Sequence, residues 1–158
     1  MSWSIAAERY DTPDATALRR DYYDEVAGRY WGRPATVQEI DEGLTDDGVE
    51  QLVSPTGAFV VGRYDGTAAA CAGLRVVDGD TAELTRVYVS PAFRGSGGGG
   101  LLLAAIEAGA RDLGVKRIRL DTRNDLVEAR ALYARHGYEE VPAFNDGKYA
   151  EHWFAKTL

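Results

Sequence analysis

What this 158-residue chain has little of narrows its chemistry first. It holds one cysteine, Cys71, so no disulfide can form within the chain and no cysteine-rich metal site can be built. The setting "AAACAG" marks Cys71 as a small core residue rather than a nucleophile. There are two histidines, His136 and His152, which do not make a metal site, and no G-x-S-x-G hydrolase motif accompanies them. Long apolar runs are missing: the longest, Leu101 to Ile106, falls far short of the ~20 residues of a membrane span. Met1 to Asp14 alternates apolar, polar and charged residues with no basic start feeding an apolar run, so no export signal is read there and a soluble, cytoplasmic protein is expected. Basic charge is in deficit, with 18 Lys plus Arg against 25 Asp plus Glu and a formal net charge of −7. That balance opposes nonspecific nucleic-acid binding, which needs basic side chains to neutralise phosphates. It still permits one phosphorylated small molecule held by local donors, and it favours the approach of a cationic substrate.

What is present reads as one folded domain spanning residues 1–158, since the hydrophobic share is 45% and the length suits a single core. "SWSIAAERY" is a first strand. A helix from about Ala15 to Tyr30 follows the start signal Asp11-Thr12-Pro13 and puts Leu18, Tyr22, Val26 and Tyr30 on one face. Thr36 and Glu39 have capping-box spacing for a short second helix, and the acidic segment 41–50 reads as a solvent-facing loop or irregular helix end. From Gly57 three strands are separated by Asp65-Gly66 and Asp78-Gly79-Asp80. Alternation in the third places Thr85, Val87 and Val89 on one face and Leu84, Arg86 and Tyr88 on the other. A helix from Gly98 to about Leu113 buries Leu102, Leu103 and Ile106, with Gly109 allowing close packing. "KRIRLDT" is the next strand and Asp125 to His136 the next helix, stopped by Gly137. "YEEV", a bend at Pro142 and the tail "KYAEHWFAKTL" complete the sheet. The expected fold class is mixed α/β, with helices covering a largely antiparallel sheet.

The segment "RGSGGGG" places five glycines in the six positions from Gly95 to Gly100, directly before a helix. A Walker phosphate loop fails here, because Gly99-Gly100 leads to Leu101 where that loop needs lysine and Ser or Thr. Gly95, Gly97 and Gly100 spell G-x-G-x-x-G, but they follow antiparallel strands rather than opening a dinucleotide fold. The economical reading is an anion-binding turn, in which successive N–H groups and the positive end of the helix converge on a diphosphate. A flexible joint is the bland alternative.

With these neighbours the chain resembles the GCN5-related N-acetyltransferase family. "RGSGGG", residues 94–99, matches the family's R/Q-x-x-G-x-G/A acyl-coenzyme A signature, "VYVSP" is the strand before it, and "NDLVEARALYARHGY", residues 124–138, is similar to its second cofactor-side motif. The resemblance implies a family fold and acetyl-coenzyme A as the acyl donor. It implies that Val87, Tyr88 and Val89 lie along the pantetheine arm at a splay between two strands. Arg94, Gly95, Ser96, Gly97, Gly98, Gly99 and Gly100 would then cradle the diphosphate, with Asn124 near the cofactor and Tyr133 near its sulfur. Gly98 and Gly100 depart from the family pattern, and each interior glycine costs a helix ~1 kcal/mol relative to alanine.

The function implied is transfer of an acetyl group to a primary amine, of a small molecule or of a protein. The alternative is a regulatory module that binds coenzyme A without turnover. Tyr133 is the candidate general acid and Glu83 the candidate general base, acting directly or through water. Asp121 and His152 are the other proton-transfer candidates, while His136 reads as a helix C-terminal residue. Tyr22, Tyr23, Tyr30 and Trp31 would line the acceptor pocket, with Tyr30, Trp31 and His152 as its substrate contacts. The resemblance and the aromatic tail are also compatible with a homodimer.

Overall fold

Most element boundaries follow from local chemistry. The computed structural model describes residues 2–45 and 48–158. In chain order the elements are β1 (Trp3–Ala7), α1 (Pro13–Trp31), α2 (Val37–Thr45), β2 (Gly57–Tyr64), β3 (Thr67–Val76), β4 (Thr81–Val89), α3 (Gly98–Asp112), β5 (Arg117–Thr122), α4 (Val127–Arg135), β6 (Glu139–Glu140) and β7 (His152–Thr157). Thr12 opens α1: its Oγ1 accepts the Ala15 N–H at 3.2 Å, and Pro13 occupies the first turn, where a missing N–H costs nothing. The capping box of α2 forms reciprocally, Glu39 N–H to Thr36 Oγ1 at 3.1 Å and Thr36 N–H to Glu39 Oε1 at 2.9 Å. Of the acidic segment 41–50, the part to Thr45 is helical and Val49–Gln51 form a 3-10 turn, while Asp46 and Asp47 lie outside the described residues. Asp65 (φ 48°) and Gly66 (φ 87°) make the tight turn joining β2 to β3.

The seven strands form one sheet in the order β1-β2-β3-β4-β5-β7-β6. Every neighbouring pair is antiparallel except β4 and β5, which run parallel. Helices cover both faces. On one, Leu102, Leu103, Ile106 and Ala110 of α3 and Tyr133 of α4 pack on Ala72, Leu74, Leu84, Ile118 and Leu120. On the other, Ala15 and Leu18 of α1 pack with Leu52, Phe59, Val61, Cys71 and Tyr88. Cys71 is fully buried, and that burial pushes its thiol up to about 12. Gly109 is not a site of close packing, since a Cβ there would meet only the Ala58 Cβ at 3.9 Å.

The face assignment in β4 needs correction. Tyr88 pairs with Cys71 and Thr85 with Gly73, so two residues of β4, Arg86 and Val87, stand opposite the single residue Ala72. Arg86 adopts φ 55°, an uncommon conformation for a residue with a side chain. This bulge breaks the two-residue period. Leu84 therefore shares the α3 face with Val87 and Val89, while Tyr88 lies on the α1 face.

Candidate active site

The parallel pair β4–β5 holds together over three residues only: Thr81 opposite Arg117, Ala82 opposite Ile118 and Glu83 opposite Arg119. Beyond Glu83 the strands part, although β4 continues to Val89 and β5 to Thr122. The gap opens into a cleft of about 670 Å³ lined by Tyr22 of α1 and also by Tyr133 of α4. Those helices cover opposite faces of the sheet, so the cleft passes between the strands. The bulge at Arg86 and Val87 lies within its lining and takes backbone groups out of ladder register beside the gap.

At the end of β4 the chain turns into α3. Gly95 (φ 79°) and Gly97 (φ 91°) both take the left-handed conformation, and nothing within 4 Å would meet a Cβ at either. Gly97 caps α3 with no side-chain bond, and the Leu101 N–H bonds back to Gly97 O at 3.4 Å. The earlier N–H groups of the first turn have no partner within the helix, and the helix adds its positive end. These N–H groups could serve as donors to an anion, and the space beside the two left-handed glycines is open. The three helical glycines serve packing instead. A Cβ at Gly98 would lie 2.4 Å from Trp3 Cζ2, one at Gly99 3.0 Å from both methyls of Leu132, and one at Gly100 2.8 Å from His136 Cε1.

The side chains of the turn are less available than the motif suggests. Arg94 points to the α1 side: its Nη2 binds both Glu25 oxygens at 2.7 and 2.8 Å, and its Nε donates to Val89 O at 2.8 Å. Glu25 also sits 4.0 Å from Arg29, which pairs with Glu128 of α4. The Ser96 hydroxyl donates to Phe93 O at 2.5 Å and accepts from Trp3 Nε1 at 3.1 Å. Of the expected pantetheine residues, Val87 lines the cleft and Val89 packs on the α3 face, whereas the Tyr88 ring joins the α1-side core.

Tyr133 lines the cleft, with its ring edge-on to Tyr138 at 5.9 Å and tilted against Phe154 at 6.0 Å. Burial, and then the nearby Tyr22 phenol, push its hydroxyl well above the usual tyrosine value. Tyr22 is itself pushed up to about 12 by burial, so both phenols stay protonated at neutral pH. Glu83 lies where the strands part, and both of its oxygens are engaged. Oε2 accepts from Arg75 at 2.5 Å and Oε1 from Arg119 at 3.2 Å, across three strands in register.

Tyr30 and Trp31 stand at the rim, 40% and 54% exposed, edge-on to each other at 4.8 Å. Tyr149 closes on Tyr30 at 4.7 Å, and the Arg123 guanidinium covers the Tyr30 ring at 4.9 Å. Asn124 and His152 meet each other rather than the cleft: His152 Nε2 lies 2.9 Å from Asn124 Oδ1 and its Nδ1 3.3 Å from Glu140 Oε2, and neither residue is part of the lining. His152, the first residue of β7, is held by Glu140 of β6 and by Asn124 in the segment after β5. Tyr149, Arg123 and the α2 carboxylates Glu39 and Glu42 also line the cleft and were missed. Tyr149 sits in an aromatic-polar tail that reads as strand. Among the described residues no three metal-ligating side chains gather, and no helix is long and apolar enough to cross a membrane.

The sequence pattern of the acetyltransferase (GNAT) family matches residues 13–138. An uncharacterized N-acetyltransferase of Escherichia coli, YjgM, is 36% identical over 111 residues, covering 64% of this chain and 66% of its own length, just under two thirds. An uncharacterized N-acetyltransferase of Schizosaccharomyces pombe is 30% identical over 136 residues, 85% of this chain and 80% of its own. Among solved structures, the PaiA N-acetyltransferase of Thermoplasma acidophilum in complex with coenzyme A superposes over 100% of both chains with a TM-score of 0.74. Its 18% identity carries the fold alone.

Proposed function

The chain belongs to the acetyltransferase (GNAT) family, and from that premise we propose that it transfers an acetyl group from acetyl-coenzyme A to a primary amine of a small molecule. The observation that carries this reading is the parting of β4 and β5 beyond Glu83, which opens an aromatic cleft between the strands beside β4, the strand that leads into the glycine turn. The donor supplies an acyl thioester. The N–H groups at the start of α3 would bind its diphosphate, and the gap beside Val87 would take the pantetheine arm. A backbone N–H displaced from the ladder by the bulge would donate to the acyl oxygen. Tyr133, protonated at neutral pH, would hold the proton for the departing sulfur.

The acceptor would enter past Tyr30, Trp31 and Tyr149, whose rings suit an amine with an apolar body. Its ammonium must lose a proton before attack. Glu83 would support that step directly or through water, on the lone pairs that its two guanidinium partners leave open. This clamping favours the second reading, a coenzyme A-binding regulatory module without turnover. One experiment separates the two: titration with acetyl-coenzyme A by calorimetry, followed by coenzyme A release across a panel of amines. Binding with acceptor-dependent release supports the enzyme. Binding with no release across the panel supports the module, and no binding at millimolar ligand overturns both.

A further inference from the structure

We propose that Trp3, on the edge strand β1, is a positioning residue for the diphosphate turn; this rests on the cofactor reading above. The indole Nε1 donates to Ser96 O at 3.2 Å and to Ser96 Oγ at 3.1 Å, across 93 positions of sequence. Ser96 passes the restraint on, because its hydroxyl donates to Phe93 O. The tethered residue stands between Gly95 and Gly97, the two left-handed glycines of the turn. Glycine loses more backbone freedom on folding than any other residue, so a turn of this composition is poorly ordered unless something outside it fixes it. Trp3 is that external fixture. It is itself anchored by strand pairing opposite Tyr64 and by edge contacts to Tyr64 at 5.4 Å and Phe93 at 6.3 Å.

The same indole explains the glycine that departs from the family pattern. Cζ2, Cε2 and Cη2 of Trp3 lie 2.4 to 2.8 Å from where a Gly98 Cβ would be. Trp3 therefore covers the first residue of α3 and holds the residue two places before it. The order it supplies is present before any ligand arrives, so the ligand does not have to provide it on binding.

The test is Trp3→Phe, which keeps an aromatic ring and deletes the Nε1–H. Hydrogen exchange of the backbone at residues 93–98 in the free protein is expected to rise about fivefold, the weight of one neutral hydrogen bond, with the α3 core unchanged. Calorimetry is expected to show coenzyme A binding weakened about fivefold, while acetyl-pantetheine, which lacks the diphosphate, binds as it does to the wild type. Ser96→Ala removes the hydroxyl part of the tether together with its bond to Phe93 O, keeps the Trp3 bond to Ser96 O, and is expected to give the same pattern. It serves as the readout should Trp3→Phe fold poorly. Unchanged exchange, or equal weakening toward both ligands, overturns the positioning role. If the wild-type protein binds no coenzyme A, the cofactor reading falls and the inference falls with it. If it does bind and both variants bind equally well, only the inference falls.

Discussion

Three consecutive glycines open α3, and replacing each by alanine sets two opposed effects against one another. Alanine favours helix by up to ~1 kcal/mol over glycine in a helix interior, and by less in the first turn. Against this stands the space available. At Gly98 the new methyl would sit 2.4 Å from Trp3 Cζ2, more than 1 Å inside the ~3.5–4.0 Å of a normal carbon contact. The indole cannot retreat without breaking its bonds to Ser96 and its edge contacts to Tyr64 and Phe93. Overpacking of this kind costs ~1–3 kcal/mol, so Gly98→Ala is expected to destabilise by roughly 1–2 kcal/mol. Gly99→Ala meets both methyls of Leu132 at 3.0 Å, tight enough to cancel the helical gain, and is expected within about 0.5 kcal/mol of the wild type. Gly100→Ala meets only the imidazole edge of His136, a partly exposed side chain that can swing, and is expected to stabilise by up to ~0.5 kcal/mol. Urea denaturation of the three variants gives the ranking. A double-mutant cycle with Trp3→Leu, which removes the six-membered ring, is expected to return about 1 kcal/mol of coupling to Gly98→Ala and none to Gly100→Ala. Equal stability of the three variants, or no coupling with Trp3, would refute the packing account of these glycines.

The buried Glu107 carboxylate binds Lys156 Nζ at 2.9 Å and the Tyr138 hydroxyl at 3.2 Å, so Lys156→Met is expected to cost roughly 2–3 kcal/mol in urea denaturation by leaving that charge poorly paired. A loss under about 1 kcal/mol would show the pair to be dispensable. Glu25→Gln releases Arg94 from its carboxylate clamp and is expected to tighten coenzyme A binding about two- to fivefold in calorimetry, on the scale of a partly exposed ion pair. Weakened binding would instead make Glu25 the residue that orients Arg94. Tyr133→Phe is expected to lower turnover by about 10²-fold, within the usual range for one acid, with coenzyme A affinity nearly unchanged; equal turnover with a good acceptor would reject the acid role. Arg33, and then the Thr36 N–H, hold Glu39 down at about 2, below its ordinary value of 4.5. Its folded value is depressed, so the contribution of this cap to stability is whole above pH 4.5 and fades as pH falls toward 2. Carboxyl NMR titration of Glu39 checks this, and a midpoint near 4.5 would contradict it.

The fold was readable wherever a few neighbouring residues decide a boundary. Thr12-Pro13, the Thr36–Glu39 box and Asp65-Gly66 act through bonds or dihedral angles only a few positions apart, and the structure places helix starts and the hairpin there. The glycine turn was readable for the same reason, since left-handed Gly95 and Gly97 need no distant partner. The bulge in β4 was not. Residues 81–89 alternate half-buried and buried without a break, so the pattern stays regular while Arg86 shifts the faces beneath it. Burial on both sides of a covered sheet hides a one-residue slip that an exposed face would betray.

What the sequence concealed in the site is the set of long-range contacts that assign each motif residue its task. Arg94 and Glu25 are 69 positions apart, and Trp3 and Ser96 are 93 apart. Taken alone, the motif makes Arg94 and Ser96 look like ligand contacts and Gly98 and Gly100 look like surplus freedom. The contacts qualify both impressions: the Arg94 and Ser96 side chains are already engaged with α1 and with the turn itself, and Gly98 makes room for Trp3. On the proposed cofactor reading, anion binding at this turn would rest mainly on the backbone N–H groups, whose direction depends on φ and ψ and so on whatever fixes the turn. A residue three strands away along the sheet can therefore govern the site as strongly as one inside the motif, and Trp3 is the residue placed to do so.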